Sequence, residues 1–145
     1  MKIKQVHLKN FMQFEDAEIK WSPHVNVICG ENSTGKTTLL KCLYALSKPY
    51  GRKDLSRLTK EQMESAFVEK MTGVFRPDEM RIGRLVSRRQ GNERASVSLT
   101  LGKDNVLSMS FGTRSERHAE LDIQWKPFDA VYLPPKEIKF FKKTA

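Results

Sequence analysis

The sequence predicts an α/β fold in which a strand and a helix flank one glycine-bearing loop. Residues 25–29 form a short, β-branched run that ends at Gly30, as a buried strand does. Residues 95–111 alternate between apolar and polar side chains on either side of a turn, which predicts an antiparallel hairpin. Pro49 ends a helical pattern after the loop. That pattern consists of four leucines on one helical face, Leu39, Leu40, Leu43 and Leu46.

The loop between the predicted strand and helix carries the pattern G-x-x-x-x-G-K-[ST], typical of a phosphate-binding loop. Gly30 and Gly35 allow the tight turn that points backbone N–H groups at a phosphate. Lys36, the candidate catalytic residue, reaches β- and γ-phosphate oxygens, and the Thr37 hydroxyl ligates Mg²⁺. The predicted nucleotide-binding residues are Gly30, Glu31, Asn32, Ser33, Thr34, Gly35, Lys36 and Thr37. A glycine-bearing turn without a nucleotide is the alternative interpretation.

Length and composition place the chain among globular proteins. Its 145 residues are enough for one domain with a core, at 39% hydrophobic and 30% charged residues. No apolar run approaches the ~18 residues that a membrane span needs, and no signal peptide precedes the first strand. We therefore expect a cytoplasmic protein with no membrane partner. Cys29 and Cys42 lack the spacing of metal ligands, and we expect both to be small core residues.

A net charge of +9 favours polyanionic partners, and the positive charge is concentrated in one segment. Five arginines lie between residues 81 and 94, around a predicted hairpin tip at residues 90–92, with Glu93 as the one acidic residue among them. They are Arg81, Arg84, Arg88, Arg89 and Arg94. The functional hypothesis is contact with the phosphate backbone of DNA or RNA. The alternatives are a solvated loop or a contact with another subunit, and no aromatic residue is interleaved for base stacking.

The other elements follow from local patterns. Thr59 and Gln62 form the ends of a capping box, which predicts a helix over residues 60–75. Apolar residues alternate with polar ones in two segments ahead of the loop, and these predict a strand pair joined by residues 9–16. The predicted strands, in chain order, cover residues 2–8, 17–21, a β region beginning at 82–86, 95–101, 106–111 and 122–125, with a polar loop over 112–119.

Two groups of residues resemble a known family. Lys9-Asn10-Phe11, Phe14 and residues 30–40 resemble the amino-terminal lobe of ABC-type ATPases. The resemblance is to the RecF, SMC and OLD-like set of AAA-family ATPases in DNA repair and anti-phage defence. Near the other end, residues 131–138 read Val-Tyr-Leu-Pro-Pro-Lys-Glu-Ile. This segment is similar to a strand followed by Pro-x-[RK]-E in stand-alone ATPases of that set.

The resemblance implies a P-loop lobe with an antiparallel β-subdomain, incomplete by itself. Its parts are residues 1–48 with the P-loop, a helical insertion at 49–80, the β-subdomain at 81–126 and a final strand and Pro-Pro-Lys-Glu segment at 127–145. The implied ligands are ATP and Mg²⁺, with Thr38 at the α-phosphate and Asn10 and Phe11 near the base or ribose. The implied partners are a second copy or a complementary C-terminal half, an effector nuclease or toxin subunit, and DNA.

An ABC-type ATPase also needs parts that this sequence lacks. No apolar strand ends in the Asp-Glu pair that would hold Mg²⁺ and polarise water, and no signature Ser-Gly-Gly/Gln segment is present. Phosphoryl transfer depends on the whole constellation. We therefore expect ATP hydrolysis from the complete assembly and an inactive chain alone, which should be marginally stable or oligomeric.

Two other classes of function are weighed against this one. A small P-loop kinase is disfavoured by the two strands ahead of the loop and by missing lid arginines. A nucleic-acid- or protein-binding module with a relic P-loop would bind DNA independently of ATP, with affinity that falls steeply with salt.

Overall fold

The structure is a computed structural model that describes residues 2–89, 91, 94–103 and 105–123, and it contains one five-stranded antiparallel sheet. The strand order across the sheet is β2-β1-β3-β4-β5. Because β1 pairs with both β2 and β3, the N-terminal strand pair and the later hairpin belong to the same sheet. The strands are β1 (Ile3–Phe11), β2 (Phe14–Lys20), β3 (Arg94–Leu101), β4 (Asn105–Gly112) and β5 (Glu120–Ile123).

The alternation predicted for the sheet is confirmed in β3 and β4. Ala95, Val97, Leu99 and Leu101 are buried, whereas the residues between them are only half-buried. In the neighbouring strand Leu107, Met109 and Phe111 face the same core. One face of the sheet is therefore apolar and the other carries hydroxyl side chains, as expected for an antiparallel sheet packed on one side.

Two helices join the apolar face of the sheet in one core. Helix α1 (Lys36–Tyr50) follows the glycine-bearing loop, and helix α2 (Lys60–Phe75) has the predicted bounds. The ring of Phe11 in β1 meets Phe75 of α2 and Phe111 of β4 edge-on, with centroids 5.4 and 6.4 Å apart. Such edge-to-face pairs are favoured among buried aromatics. Short 3₁₀ helices lie at Leu55–Arg57, Asp78–Met80 and Ile82–Leu85.

The capping box predicted at the start of α2 is confirmed. The Gln62 backbone N–H donates to the Thr59 hydroxyl oxygen at 3.2 Å, and the Thr59 N–H donates to the Gln62 side chain at 2.9 Å. Two N–H groups that would otherwise lack partners are thereby satisfied. The helix consequently begins at the residue after Thr59.

The prediction of a buried strand at residues 25–29 is wrong. This segment has no strand assignment, and the side chains of Val25 and Val27 are 80% and 79% exposed. The five strands of the described part of the chain pair with one another, and none lies beside this segment. A β-branched run favours extended backbone, but burial requires neighbouring strands.

The two cysteines differ in burial. Cys29, expected in the core, lies exposed at the end of the unpaired segment. Cys42 is buried in α1 as predicted, and burial raises the pKa of its thiol because the thiolate would be poorly solvated there. Cys42 is therefore a neutral core residue.

Three further boundaries differ from the prediction. The connection predicted at residues 9–16 is a two-residue turn, since β1 and β2 pair as far as Phe11 opposite Phe14. The β region predicted to begin at 82–86 is instead a 3₁₀ helix, after which Val86 makes a single bridge to Phe11. The strand predicted at 122–125 is β5; residues 124 and 125 lie outside the described residues.

The leucine face of α1 is largely confirmed. Leu39 and Leu46 are buried and Leu43 is half-buried, whereas Leu40 is 41% exposed. Pro49 lies within the last turn, one residue before the helix ends. Neither this helix nor any other in the described ranges combines the length and apolar character required to cross a membrane.

Candidate nucleotide-binding site

The glycine-bearing loop lies between the sheet and α1. After β2, the Trp21 N–H donates to the Lys4 carbonyl oxygen at 2.8 Å, and the chain then leaves the sheet. The Asn26 side chain accepts from the Ser22 N–H at 2.7 Å, which folds the first residues of the connection on themselves. Residues 23–31 continue without a strand and reach the loop.

Two residues of the loop have left-handed backbone. Ser33 has φ 68° and Gly35 has φ 100°. Gly35 is the N-cap of α1, and no side chain caps the helix there. The first N–H groups of the helix are thus left without a side-chain acceptor, which is the arrangement that binds an anion in phosphate loops.

Position 35 requires glycine for two reasons, the left-handed backbone and the close approach of Phe14. A Cβ at this position would lie 2.6 Å from Cζ of Phe14 and 3.0 Å from Nε2 of Gln13. Phe14 begins β2, so the β1–β2 turn packs directly against the loop. The Met12 N–H donates to the Leu85 carbonyl oxygen at 2.9 Å, and this bond holds the turn from the other side.

The Lys36 ammonium donates to the carbonyl oxygens of Gly30 and Glu31. The Thr34 hydroxyl also donates to the Glu31 carbonyl oxygen, at 2.8 Å. The lysine therefore closes the loop on itself. Phosphate oxygens would offer this ammonium a charged acceptor in place of neutral carbonyls, and charge-assisted hydrogen bonds are the stronger kind.

A small cavity of about 180 Å³ opens at the loop. Most of the predicted nucleotide-binding residues line it. Gly30, Glu31 and Thr34 do not, and they make hydrogen bonds to Lys36 or to each other. Sequence reasoning missed one lining residue, Gln13, which comes from the β1–β2 turn. The lining residues are Gln13, Asn32, Ser33, Gly35, Lys36, Thr37 and Thr38.

Asn10 and Phe11 do not line this cavity. Phe11 is fully buried in the core, and its ring is occupied by Phe75 and Phe111. The Asn10 side chain donates to the Arg94 carbonyl oxygen at 3.3 Å. Their expected position near a base or ribose is wrong for Phe11, whose ring stabilises the fold.

The residues that line the cavity suit a phosphate, but they offer a magnesium ion few protein ligands. Thr37 is exposed and supplies one hydroxyl oxygen. In the described ranges no group of three or more His, Cys, Asp or Glu side chains could hold a metal. Mg²⁺ keeps several waters and binds readily through substrate phosphates. Thr37, phosphate oxygens and water would therefore be its ligands here.

The five arginines fall into two groups. Arg81 lies 3.5 Å from Glu79 and 3.7 Å from Glu116, Arg94 lies 3.1 Å from Glu120, and Arg89 pairs with Glu15. Arg84 and Arg88 are exposed and make no ion pair with the described residues. Residues 90 and 92 of the predicted tip lie outside the described residues.

The left-handed Gly35, the lysine folded over the loop and the following helix are the features expected of a phosphate-binding loop. Residues 1–131 match the family model described as AAA ATPase domain, and the chain belongs to this family. The resemblance to RecF and SMC proteins is confirmed.

Two curated relatives illustrate the match. The chain is 30% identical to the DNA replication and repair protein RecF of Ligilactobacillus salivarius, over 92% of this chain and 39% of the relative. RecF of Chlamydia caviae is 53% identical over 32% of this chain and 13% of the relative. The chain thus spans about two fifths of the length of the first relative.

A solved structure shares the fold. It comes from work on ATP-driven dimerization and DNA-stimulated activation of SMC ATPases, and it is 15% identical, with a TM-score of 0.51. The alignment covers 88% of this chain and 72% of that one. The α/β P-loop fold with an antiparallel sheet is therefore confirmed.

Proposed function

We propose that the chain is the ATP-binding lobe of an ABC-type ATPase of the RecF and SMC group. The observation that carries this proposal is the loop itself, in which Gly35 is left-handed, Lys36 folds over the loop carbonyls and α1 begins without a side-chain cap. Membership of the AAA ATPase domain family supports ATP as the nucleotide.

Each loop residue has a specific role in this proposal. The N–H groups of residues 31–36 cradle the phosphates, and Lys36 neutralises charge on the β- and γ-phosphates. Thr37 holds Mg²⁺, and Thr38 contacts the α-phosphate. The sequence lacks an apolar strand that ends in an Asp-Glu pair, so hydrolysis would require groups that a second polypeptide segment supplies.

ATP binding would then drive dimerisation or control of a partner. The names of the RecF relatives favour DNA repair over anti-phage defence as the setting. The solved SMC structure comes from work on ATP-driven dimerization, which supports a second copy as the first partner to test.

Lys36→Ala tests the nucleotide site. We expect it to weaken binding of a fluorescent ATP analogue with Mg²⁺ by at least about tenfold, because hydrogen bonds to charged groups contribute roughly 1.5–3 kcal/mol. Fluorescence anisotropy measures the dissociation constant. Lys53→Ala removes the same charge from an exposed position away from the loop and should bind as the wild type does. Equal affinity of wild type and Lys36→Ala would contradict the proposal.

Contact with DNA is the second candidate function. The observation that favours it is the exposure of Arg84 and Arg88, which lack the carboxylate partners that Arg81, Arg89 and Arg94 have among the described residues. An unpaired guanidinium is free to neutralise a phosphate and release counterions.

Replacing both Arg84 and Arg88 by Gln should reduce the slope of log affinity against log salt by up to about 2 for a short DNA duplex. The matched control is Lys53→Gln with Arg57→Gln, which lowers net charge equally at two exposed positions in and beside the Leu55–Arg57 helix. A titration at several salt concentrations measures both slopes. If the two double variants lose the same slope, the effect is one of net charge and the specific contact is wrong.

A further inference from the structure

A groove lies between β5, at one edge of the sheet, and the start of α2. Its volume is about 400 Å³, and four apolar side chains line it. Leu121 and Ile123 come from β5, Leu55 comes from the first 3₁₀ helix and Met63 from α2. The two β5 side chains are only half-buried, whereas the apolar side chains of β3 on the same face are buried. The apolar face of the sheet is therefore incompletely covered at this edge.

The backbone of β5 is open on its outer side. Among the described residues β5 pairs with β4 alone, and no further backbone hydrogen bond reaches it from the rest of the described chain. In a strand, the N–H and C=O groups of alternate residues point to opposite sides. An edge with free groups of this kind can accept an extended polypeptide as one more strand.

The two faces of β5 differ in chemistry. Leu121 and Ile123 lie on the apolar face of the sheet, since each pairs with a core residue of β4. Glu120 and Asp122 lie on the opposite face, where each pairs with a serine. Both carboxylates are exposed. Glu120 pairs with Arg94 at 3.1 Å, whereas Asp122 makes no ion pair with the described residues and can attract a cation.

The groove itself disfavours a cation. Lys60, the first residue of α2, lines it beside the apolar side chains. A second ammonium group there would be repelled by Lys60, and its burial among apolar groups would cost free energy. Directly opposite residues of paired strands share a face of the sheet, so a strand added to β5 presents alternate residues to the two faces. The groove thus favours apolar residues at every second position, and Asp122 favours a basic residue between them.

We propose that the β5 edge binds an extended segment of a partner protein in which apolar and basic residues alternate. Backbone hydrogen bonds to β5 supply affinity, the apolar side chains enter the groove, and the basic side chains lie beside Asp122. The phosphate loop packs against the β1–β2 turn, and β2 is the opposite edge of the described sheet. This inference therefore does not rest on nucleotide binding.

Short peptides test this surface on the whole chain. A labelled hexapeptide of alternating valine and lysine, capped at both ends, should bind with a dissociation constant measurable by fluorescence anisotropy. A peptide of the same composition, with three valines followed by three lysines, places a lysine at one of the groove positions. It should bind at least about tenfold more weakly, because burial of one valine side chain contributes roughly that factor. Equal binding of the two peptides would contradict the proposal.

Backbone pairing has a signature of its own. N-methylation of the three valines removes one set of alternate N–H groups, and N-methylation of the three lysines removes the other set. The set that faces β5 should cost at least about tenfold in affinity, since several hydrogen bonds are lost, and the other set should cost less than about threefold. Equal affinity of the two methylated peptides would show that no strand is added to β5, and the proposal would be wrong.

Asp122→Lys tests the basic positions. It should weaken binding of the valine–lysine peptide by about two- to fivefold and strengthen binding of a valine–glutamate peptide, because facing charges on paired strands differ by about this much. Glu18→Lys is the matched control, since it makes the same change in charge at an exposed position of β2. It should leave both affinities within about twofold, because distant exposed charges are screened. Equal effects of the two variants would assign the loss to net charge and contradict docking on β5.

Absence of binding by the wild type overturns the inference, and the groove is then covered by another part of this chain or by a second copy. Lys36→Ala should bind the valine–lysine peptide as the wild type does. Failure of the nucleotide site and failure of the β5 surface are thus separate results. Melting curves show whether each variant is folded.

Discussion

Gly35→Ala is expected to abolish detectable nucleotide binding. The new Cβ would lie 2.6 Å from Cζ of Phe14, and the backbone φ of 100° is one that residues with a side chain rarely adopt. Left-handed backbone costs an L-residue roughly 1–2 kcal/mol, and the contact adds overpacking of about 1–3 kcal/mol. The loop relieves both penalties by changing its backbone, which removes the cradle of N–H groups.

Gly30→Ala is the control for this prediction. A Cβ at Gly30 would meet the Thr34 hydroxyl at 2.9 Å, a side-chain atom that rotates away more easily than a packed ring. We expect Gly30→Ala to weaken binding much less than Gly35→Ala does. Titration with a fluorescent ATP analogue measures the affinities, and thermal melting shows whether each variant is folded. A Gly35→Ala variant that is folded and binds as the wild type does would contradict the loop geometry.

Gly83→Ala is expected to produce the largest loss of folding stability, about 3 kcal/mol, at the upper end for overpacking of a core. A Cβ here would lie 2.4 Å from the Thr113 carbonyl oxygen and 2.8 Å from those of Gly112 and Ser115. These acceptors are backbone atoms and cannot rotate away. The Gly83 N–H also donates to the Ser115 carbonyl oxygen at 2.9 Å, so a shift of the loop breaks this bond.

Gly73→Ala is expected to change folding stability in the opposite direction. Gly73 lies within α2, and a Cβ there would meet nothing within 4 Å. Alanine in an open helix position should stabilise the protein by about 0.5–1 kcal/mol, because glycine loses more backbone entropy on folding. Urea unfolding measures both changes in the free energy of unfolding. If both variants have the same stability, the packing of residues 112–115 against Gly83 is wrong.

Local signals predicted the elements that depend on near neighbours. Thr59 and Gln62 lie only three residues apart. The capping box therefore predicted the residue at which α2 begins. The alternation over residues 95–101 specified which side chains of β3 are buried, since one register satisfies the whole strand.

The predictions that were wrong or incomplete concern features that depend on residues distant in sequence. The run at 25–29 has the composition of a buried strand, but its burial requires strands that the described sheet does not provide. Gln13 was missed as a lining residue because no local pattern marks this turn as part of the cavity. It reaches the cavity only because the β1–β2 turn packs against Gly35, and this contact has no local signal.

The open segment from Val25 to Cys29 has a consequence for thermodynamic linkage. It leads directly into the loop, yet its exposed side chains leave the loop supported mainly by α1 and by the β1–β2 turn. Any polypeptide that pairs with this segment would bury those side chains and fix the backbone that leads into the loop, and we expect it to raise nucleotide affinity. By reciprocity, a bound nucleotide would raise the affinity of the segment for that polypeptide by the same factor.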